Sequence, residues 1–230
     1  MNDFIINSAT AGVVLSLLAY NVGLFLKNRT KLAVCNPLLI SIILVIAFLA
    51  AAGVDYESYN SSAKYLSYLL TPATVSLAIP LYQKLALLKK HIWAILAGII
   101  SGVLTSLTSV FLMSLAFRLS HEEYVTLLPK SITTAIGMGV SEELGGYVTI
   151  SVAVIIITGV LGNMTAEFIC RRFRIRNAIS RGLAIGTSCH AIGTARAMEM
   201  GEIEGAMSSL AIVVSGLCTV VGASFYAMLL

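Results

Sequence analysis

Residues 190–201 read HAIGTARAMEMG, and residues 135–145 read AIGMGVSEELG. Both segments carry Ala-Ile-Gly, then five other residues, a glutamate, an apolar residue and a glycine, at an offset of 56 positions. A long apolar segment follows each copy. A polar, glycine-marked unit that occurs twice in an apolar chain predicts a membrane protein built from duplicated halves.

The composition supports a membrane location. The chain of 230 residues is 58% hydrophobic and 11% charged, whereas soluble domains contain about 25% charged residues. Because about 20 apolar residues span a bilayer as a helix, we expect an all-α polytopic protein in contact with the lipid bilayer. Six stretches longer than 18 residues contain no charge and are the predicted spans: 4–26, 32–54, 65–83, 92–117, 144–166 and 205–230.

Several classes of function are disfavoured by the sequence. The net charge of +4 does not indicate nucleic-acid binding, because the basic residues sit in short loops between the apolar stretches. The four cysteines lie in or beside apolar segments without metal-ligand spacing, which predicts free thiols. The chain has no GxSxG, HExxH, P-loop or CxxC motif. We therefore expect neither an enzyme nor a bound metal or cofactor.

The basic residues predict the orientation of the chain. The loops 27–31, 84–91 and 171–181 hold 11 of the 15 lysines and arginines and no acidic residue. The positive-inside rule places these loops in the cytoplasm and both termini outside. Residues 119–146 must then leave and return on the outer side, and residues 177–202 on the inner side.

Two such hairpins of opposite orientation, each followed by a span, form an inverted repeat. We predict a single membrane domain, 1–230, with repeat units 118–170 and 177–230. Re-entrant hairpins are tolerated at membrane depth only where protein buries them or they line a wet cavity. The repeated segments would therefore enclose a polar site.

Other arrangements stay open at the level of sequence. Residues 124–146 and 182–200 could instead cross the membrane as broken helices. The predicted span 65–83 contains Pro72 and Pro80, each of which removes a backbone donor. That span is therefore either a kinked helix or a third broken element at the same cavity.

Arg196 is the most informative charged residue, because a charge near the bilayer centre costs at least a few kcal/mol unless it is compensated. Glu199 lies three residues later and could form an ion pair on the same helix face. Alternatively, Arg196 binds a substrate carboxylate in a bidentate manner while Glu199 balances the charge. Glu167 is predicted to pair with Arg171, four residues later.

Hydroxyl side chains mark the start of a half-helix in the first hairpin, where residues 129–134 read PKSITT. Free backbone donors at a helix N-terminus attract anions, although the same hydroxyls could serve only as helix caps. Lys130 is either a substrate ligand or a lysine that extends to the membrane interface. The expected ligand is a small organic anion, and the predicted substrate-binding residues are Ser131, Thr133, Thr134, His190, Thr194 and Arg196.

Three residues could carry protons. His190 has an unperturbed pKa of about 6.5, although a lone histidine in a membrane also serves as a hydrogen-bonded packing residue. Glu143 and Glu199 occupy equivalent positions in the two copies and could instead cap the hairpin ends. Because the hairpins are oppositely oriented, we predict that segments 129–146 and 186–202 meet at one site. The predicted proton-coupling residues are Glu143, Glu199 and His190.

The sequence resembles the LrgB/CidB family over essentially its whole length. The similarity is most specific at PKSITT (129–134), RGLA (181–184) and GTSCHAIGTARAMEMGEIEG (186–205). Ala135 and Cys189 depart from the family pattern, which has proline and serine at these positions. The loss of the proline weakens the expectation of a backbone break in the first hairpin.

The resemblance implies a bacterial inner-membrane protein and two alternative functions. The first is secondary transport of small monocarboxylates such as glycolate, glycerate or pyruvate, with proton coupling as an option. The second is antiholin-like control of murein hydrolase activity and autolysis, together with a small LrgA/CidA-type membrane partner. Gly98 and Gly102, in GxxxG spacing, could supply a partner or homo-oligomer interface.

The predicted topology can be tested by cysteine labelling. In a cysteine-free background, Arg174→Cys should react with a membrane-impermeant maleimide only from the cytoplasmic side, because the loop 171–181 carries five arginines and no acid. Labelling of intact cells at this position would contradict both the topology and the hairpin argument.

Overall fold

The computed structural model describes residues 10–30 and 36–230, and these residues contain helices and connections but no strand. The chain divides into two compact units, Met1–Ser76 and Leu77–Leu230. In the first unit, the helices are α1 (Ala11–Thr30), α2 (Pro37–Ala52), α3 (Tyr56–Ala63) and α4 (Leu70–Ser76), with a 3₁₀ helix at Lys64–Leu69. In the second unit, they are α5 (Ala78–Gln83), α6 (Leu85–Lys90), α7 (Ile92–Phe117), α8 (His121–Leu127), α9 (Thr134–Glu143), α10 (Val148–Arg172), α11 (Ala178–Met200) and α12 (Glu202–Ala227).

The ends of α2 follow directly from its flanking residues. The Asn36 side chain accepts hydrogen bonds from the backbone N–H groups of Leu38 and Leu39, and Pro37 occupies the first helical position. Gly53 ends the helix in the left-handed conformation, with φ of 61°. In the same unit, the backbone N–H of Gly12 in α1 donates to Ser62 Oγ in α3.

Four of the described helices, α1, α7, α10 and α12, are long and apolar enough to cross a membrane. Helix α2 has 16 residues, fewer than the roughly 20 that a span needs. Residues 65–83, predicted as one span, do not form a single long helix. The structure divides them among the 3₁₀ helix, α4 and α5. Pro72 and Pro80 each lie in the first turn of a short helix, where a missing N–H is tolerated.

The core of the second unit is built on one face of α7. Ile95, Ile99, Val103 and Leu107 recur every four residues and are buried, as an apolar helix face requires. They belong to one cluster with buried residues of α8 and α12. This packing fixes α7 beside the two hairpins described next.

The second predicted hairpin is α11, which reverses direction at His190. His190 has φ of 42° and ψ of −142°, so the helix is interrupted there. A Cβ atom added at Gly193 would lie 3.0 Å from Ile185 Cγ2, although eight residues along a straight helix span about 12 Å. Residues 178–189 and 191–200 are therefore two antiparallel arms.

Contacts with α12 define the direction of each arm. Glycines 182 and 186 of the first arm lie against residues 204 and 208 of α12, so this arm runs parallel to α12. In the second arm, Thr194 bonds to Ser208 and Met198 lies against Gly205, so that arm runs antiparallel.

The first predicted hairpin consists of α8, a turn at residues 128–133, and α9. Thr126 of α8 accepts a hydrogen bond from the backbone N–H of Tyr147, at 2.7 Å. Ser151 of α10 donates to the Thr126 carbonyl oxygen at 2.8 Å and lies 2.7 Å from Ser141 Oγ of α9. Further along α10, Ile155 packs against Gly137 of α9. Tyr147, just before α10, also donates to Glu122 Oε2, one turn before Thr126, so α8 is parallel to the long helix that follows, whereas the contacts 141–151 and 137–155 make α9 antiparallel to it.

Gly186 is required for the close approach of α11 to α12. A Cβ atom at this position would clash with the carbonyl oxygen of Ser208 and lie 2.8 Å from the Ala211 Cβ. We predict that Gly186→Ala destabilises the protein by about 1–3 kcal/mol through overpacking. The matched control Gly139→Ala, with nothing within 4 Å of the added Cβ, should be neutral or stabilising by about 0.5–1 kcal/mol. Thermal unfolding in detergent would measure both effects, and equal melting temperatures of the two variants would contradict the proposed packing.

Candidate functional site

A cavity of about 570 Å³ lies where the turn of the first hairpin meets α7 and the first arm of α11, all within the second unit. Among the described residues, one cation and eight hydroxyl side chains line it, and no carboxylate does. The cation is Lys130, and the hydroxyl residues are Ser101, Thr105, Ser106, Ser109, Ser131, Ser180, Thr187 and Ser188. This lining can hold a small polar or anionic molecule.

Lys130 occupies the turn of the first hairpin and is half-buried. Its Nζ donates to Ser131 Oγ at 3.0 Å and to Ser106 Oγ at 3.2 Å, and these two hydroxyls lie 3.1 Å apart. Within the described part of the chain, Lys130 forms no ion pair. Its positive charge is therefore met only by neutral oxygen atoms.

Thr187 lines the same cavity as Lys130, from the first arm of α11. Its side chain is 6% exposed, and its Oγ1 has no hydrogen-bond partner among the described residues. Gly102 of α7 makes room for it, because a Cβ there would lie 2.7 Å from Thr187 Cγ2. Gly98 similarly lies beside Leu183, so the GxxxG pair of α7 packs against α11 of the same chain.

The two hairpins approach each other at α10. His190 is 2% exposed, and its Nε2–H donates to the carbonyl oxygen of Ile155 at 3.0 Å. Gly159 gives the ring space, since a Cβ there would lie 2.7 Å from His190 Cε1. Ile155 also packs on Gly137, which lies beside Pro129 in the turn of the first hairpin. The structure thus brings the tips of the two hairpins to the same stretch of α10.

Three other hydroxyl residues that were predicted to bind substrate do not line this cavity: Thr133, Thr134 and Thr194. Thr194 is fully buried, donates to the His190 carbonyl oxygen at 3.0 Å and lies 2.7 Å from Ser208 Oγ. Thr133 precedes α9, but its side chain makes no capping hydrogen bond, and Thr134 is the first residue of that helix. Of the predicted substrate-binding residues, Ser131 lines the cavity.

Arg196 lies in a separate cluster of charges, with its side chain 27% exposed. It pairs with Glu167 of α10, and its Nη1 lies 2.5 Å from Glu199 Oε2. Glu167 also pairs with Arg171, as the helical spacing predicted. Arg181 lies 3.7 Å from Glu204 at the start of α12. A cavity of about 280 Å³ is lined by Glu167, Cys170, Arg171, Arg181, Arg196, Glu199 and Met200.

The two predicted proton-carrying glutamates lie outside the lining of the hydroxyl-rich cavity. Glu143 is the last residue of α9 and is exposed, while Glu199 belongs to the charge cluster. Sequence reasoning did not include Ser106, Thr187 or Ser188 among the ligands. One signal was available for the α7 wall, because Ser101, Thr105 and Ser109 recur every four residues in a helix of mostly apolar residues.

Residues 16–229 match the model of the LrgB-like family. The chain belongs to this family. An antiholin-like protein LrgB from Bacillus subtilis is 40% identical over 210 residues, which cover 91% of each chain. Antiholin-like LrgB proteins from Bacillus cereus and Bacillus anthracis are 38% identical over 211 residues, which cover 91% of this chain and 92% of theirs. No solved structure matches this LrgB-like chain.

The charge cluster of this LrgB-like protein generates a stability prediction. Arg196→Ala removes the guanidinium shared by Glu167 and Glu199 and should destabilise the protein by about 1–2 kcal/mol, because these groups are partly removed from water. Arg172→Ala, at an exposed arginine at the end of α10, should change the melting temperature much less. Thermal unfolding at low salt would compare them, and a stable Arg196→Ala variant would contradict a structural role for the pair.

Proposed function

We propose that the chain is an antiholin-like membrane protein that acts with a small LrgA-type membrane partner. The observation that carries this proposal is the similarity to antiholin-like LrgB proteins over nine-tenths of the chain, at 38–40% identity. The matched residues, 16–229, include both hairpins and the long helices α7, α10 and α12. This function needs no catalytic group, in keeping with the absence of catalytic motifs from the sequence.

The surface of α7 supports association with a second membrane protein. Ser101, Thr105 and Ser109 are exposed, and each hydroxyl donates to a carbonyl oxygen of α7 itself. Small side chains with satisfied hydroxyls let another helix approach closely, which is how membrane helices commonly associate. Self-association through the same face is the corresponding homo-oligomer proposal.

A second candidate function is transport of a small monocarboxylate, and the cavity at Lys130 favours it. A lysine among hydroxyls, without a carboxylate, is suited to an organic anion. In this candidate, Lys130, Ser131 and Thr187 contact the anion, while Arg196, Thr133, Thr134 and Thr194 hold the helices in place. Proton coupling through His190, Glu143 or Glu199 stays a prediction.

The proposed membrane arrangement is the six-span inverted repeat, in a bacterial inner membrane with both termini outside. Contacts support opposite orientations of the hairpins: α10 is parallel to the second arm of α11, because Asn163 bonds to Ile192 and Glu167 pairs with Arg196. That arm is antiparallel to α12, so α10 and α12 are antiparallel. The arginines at the end of α10 support a cytoplasmic position for that end.

Deletion of this gene from its source bacterium tests the main proposal. An antiholin-like protein restrains lysis, so the deletion strain should lyse earlier in detergent and release more murein hydrolase activity, and the wild-type gene should restore both. Culture turbidity and zymograms of the medium would measure these effects. Affinity purification of the tagged chain should also recover the LrgA-type partner.

The same strains separate the two candidate functions. Unchanged lysis and hydrolase activity, together with a loss of labelled lactate uptake, would contradict the antiholin-like function and favour transport. Cells that express Gly186→Ala supply a control for an unstable protein, and Gly139→Ala supplies the matched stable control.

A further inference from the structure

We propose that Lys130 makes the hydroxyl-lined cavity selective for singly charged anions, and that the Thr187 hydroxyl provides a second, charge-independent contact to the ligand. The inference rests on the second candidate function, transport through this cavity.

Lys130 differs from the arginines of the two hairpins in having no acidic partner among the described residues. The two arginines within the hairpins, residues 119–146 and 177–202, are paired: Arg196 with Glu167 and Glu199, and Arg181 with Glu204. Lys84 is likewise paired with Glu202 at the start of α12. Among the described residues, the hydrogen-bond partners of Lys130 are the hydroxyls of Ser106 and Ser131. A half-buried ammonium group without a charged partner is unfavourable unless an anion compensates it, so a bound anion completes this site.

The charged residues that line the cavity also determine how many charges the ligand should carry. The described lining contains one basic side chain and no acidic one. A monoanion therefore leaves the cavity neutral, whereas a dianion would carry one uncompensated charge and a neutral molecule would leave Lys130 uncompensated. Charge balance favours one negative charge on the ligand.

The Thr187 hydroxyl is available for a ligand, since it is buried without a partner. Buried hydroxyl groups normally have a hydrogen-bond partner, and this one has none among the described residues. It lines the same cavity as Lys130, from the opposite hairpin. A ligand oxygen between the two residues would accept from the ammonium and also satisfy the threonine hydroxyl. The ligand thereby links the two hairpin tips.

Binding of lactate and lactamide to the purified chain in detergent tests the role of Lys130, because these ligands differ in charge and hardly in shape. Equilibrium dialysis with labelled ligands should show that the wild type binds lactate at least about tenfold more tightly than lactamide. Lys130→Gln should abolish this preference, and Lys130→Arg should retain it. Lys90→Gln, the same change at an exposed lysine outside the cavity, should leave it unaltered. Gel filtration and thermal unfolding confirm that each variant is folded.

Binding by the wild type tests the transport function, whereas binding by Lys130→Gln tests the role of Lys130. If the wild type binds neither ligand, the transport function fails, and the inference with it. If lactate is preferred but Lys130→Gln retains the same preference, transport stands and the role of Lys130 is overturned. Malonate should bind more weakly than lactate, and tighter binding of malonate would overturn the single-charge match.

Thr187→Val tests the second contact with little change in volume. It should weaken lactate and lactamide binding by a similar factor, several-fold, and leave the preference between them intact. Thr165→Val, at an exposed threonine of α10, is the matched control and should bind both ligands as the wild type does. Unchanged affinities in Thr187→Val would overturn the contact.

Discussion

The hydrogen bond from His190 Nε2 to the carbonyl oxygen of Ile155 joins the broken tip of one hairpin to the helix against which the other hairpin packs. A helix interrupted inside an apolar unit leaves backbone groups without intrahelical partners, and only neighbouring protein or a wet cavity can satisfy them. At the second tip, the Thr194 hydroxyl donates to the His190 carbonyl oxygen, and Asn163 of α10 donates to the Ile192 carbonyl oxygen. Gly159 and Gly137 permit the approach, because each leaves space where a side chain would collide with its neighbour. The cavity beside Lys130 is the polar space that remains.

The two hairpins are secured by different interactions. The first is held by buried hydroxyls, with Ser151 bonded to both Thr126 and Ser141. The second is held by charges, with Arg196 between Glu167 and Glu199. Pairing of Arg196 within the protein accounts for a charge in an apolar segment without invoking a ligand. In the described part of the chain, Lys130 has no such partner, so the lysine and not the arginine is the candidate ligand for an anion.

Hydropathy, loop charges and the repeated Ala-Ile-Gly segments predicted a helical membrane protein and the positions of both hairpins. Sequence could not decide between the two alternatives for Arg196, because Glu167 lies 29 positions away and the pair depends on the packing of α10 against α11. The place of Thr187 was equally inaccessible, since it depends on the space beside Gly102 in a different helix. Residues 65–83 showed the limit of hydropathy alone, as an uncharged run of sufficient length is divided among short helices that carry Pro72 and Pro80.

The central claim is that both hairpin tips border one cavity, and cross-linking tests it most directly. Ser131→Cys and Ser188→Cys, combined in a cysteine-free chain, place one thiol on each hairpin at the lining of the cavity of about 570 Å³. A short bifunctional maleimide should join them within a single protomer. The positive control is the pair Ser106→Cys and Ser131→Cys, whose native hydroxyls lie 3.1 Å apart. Cross-linking of the control pair without any cross-linking between positions 131 and 188 would contradict the shared cavity.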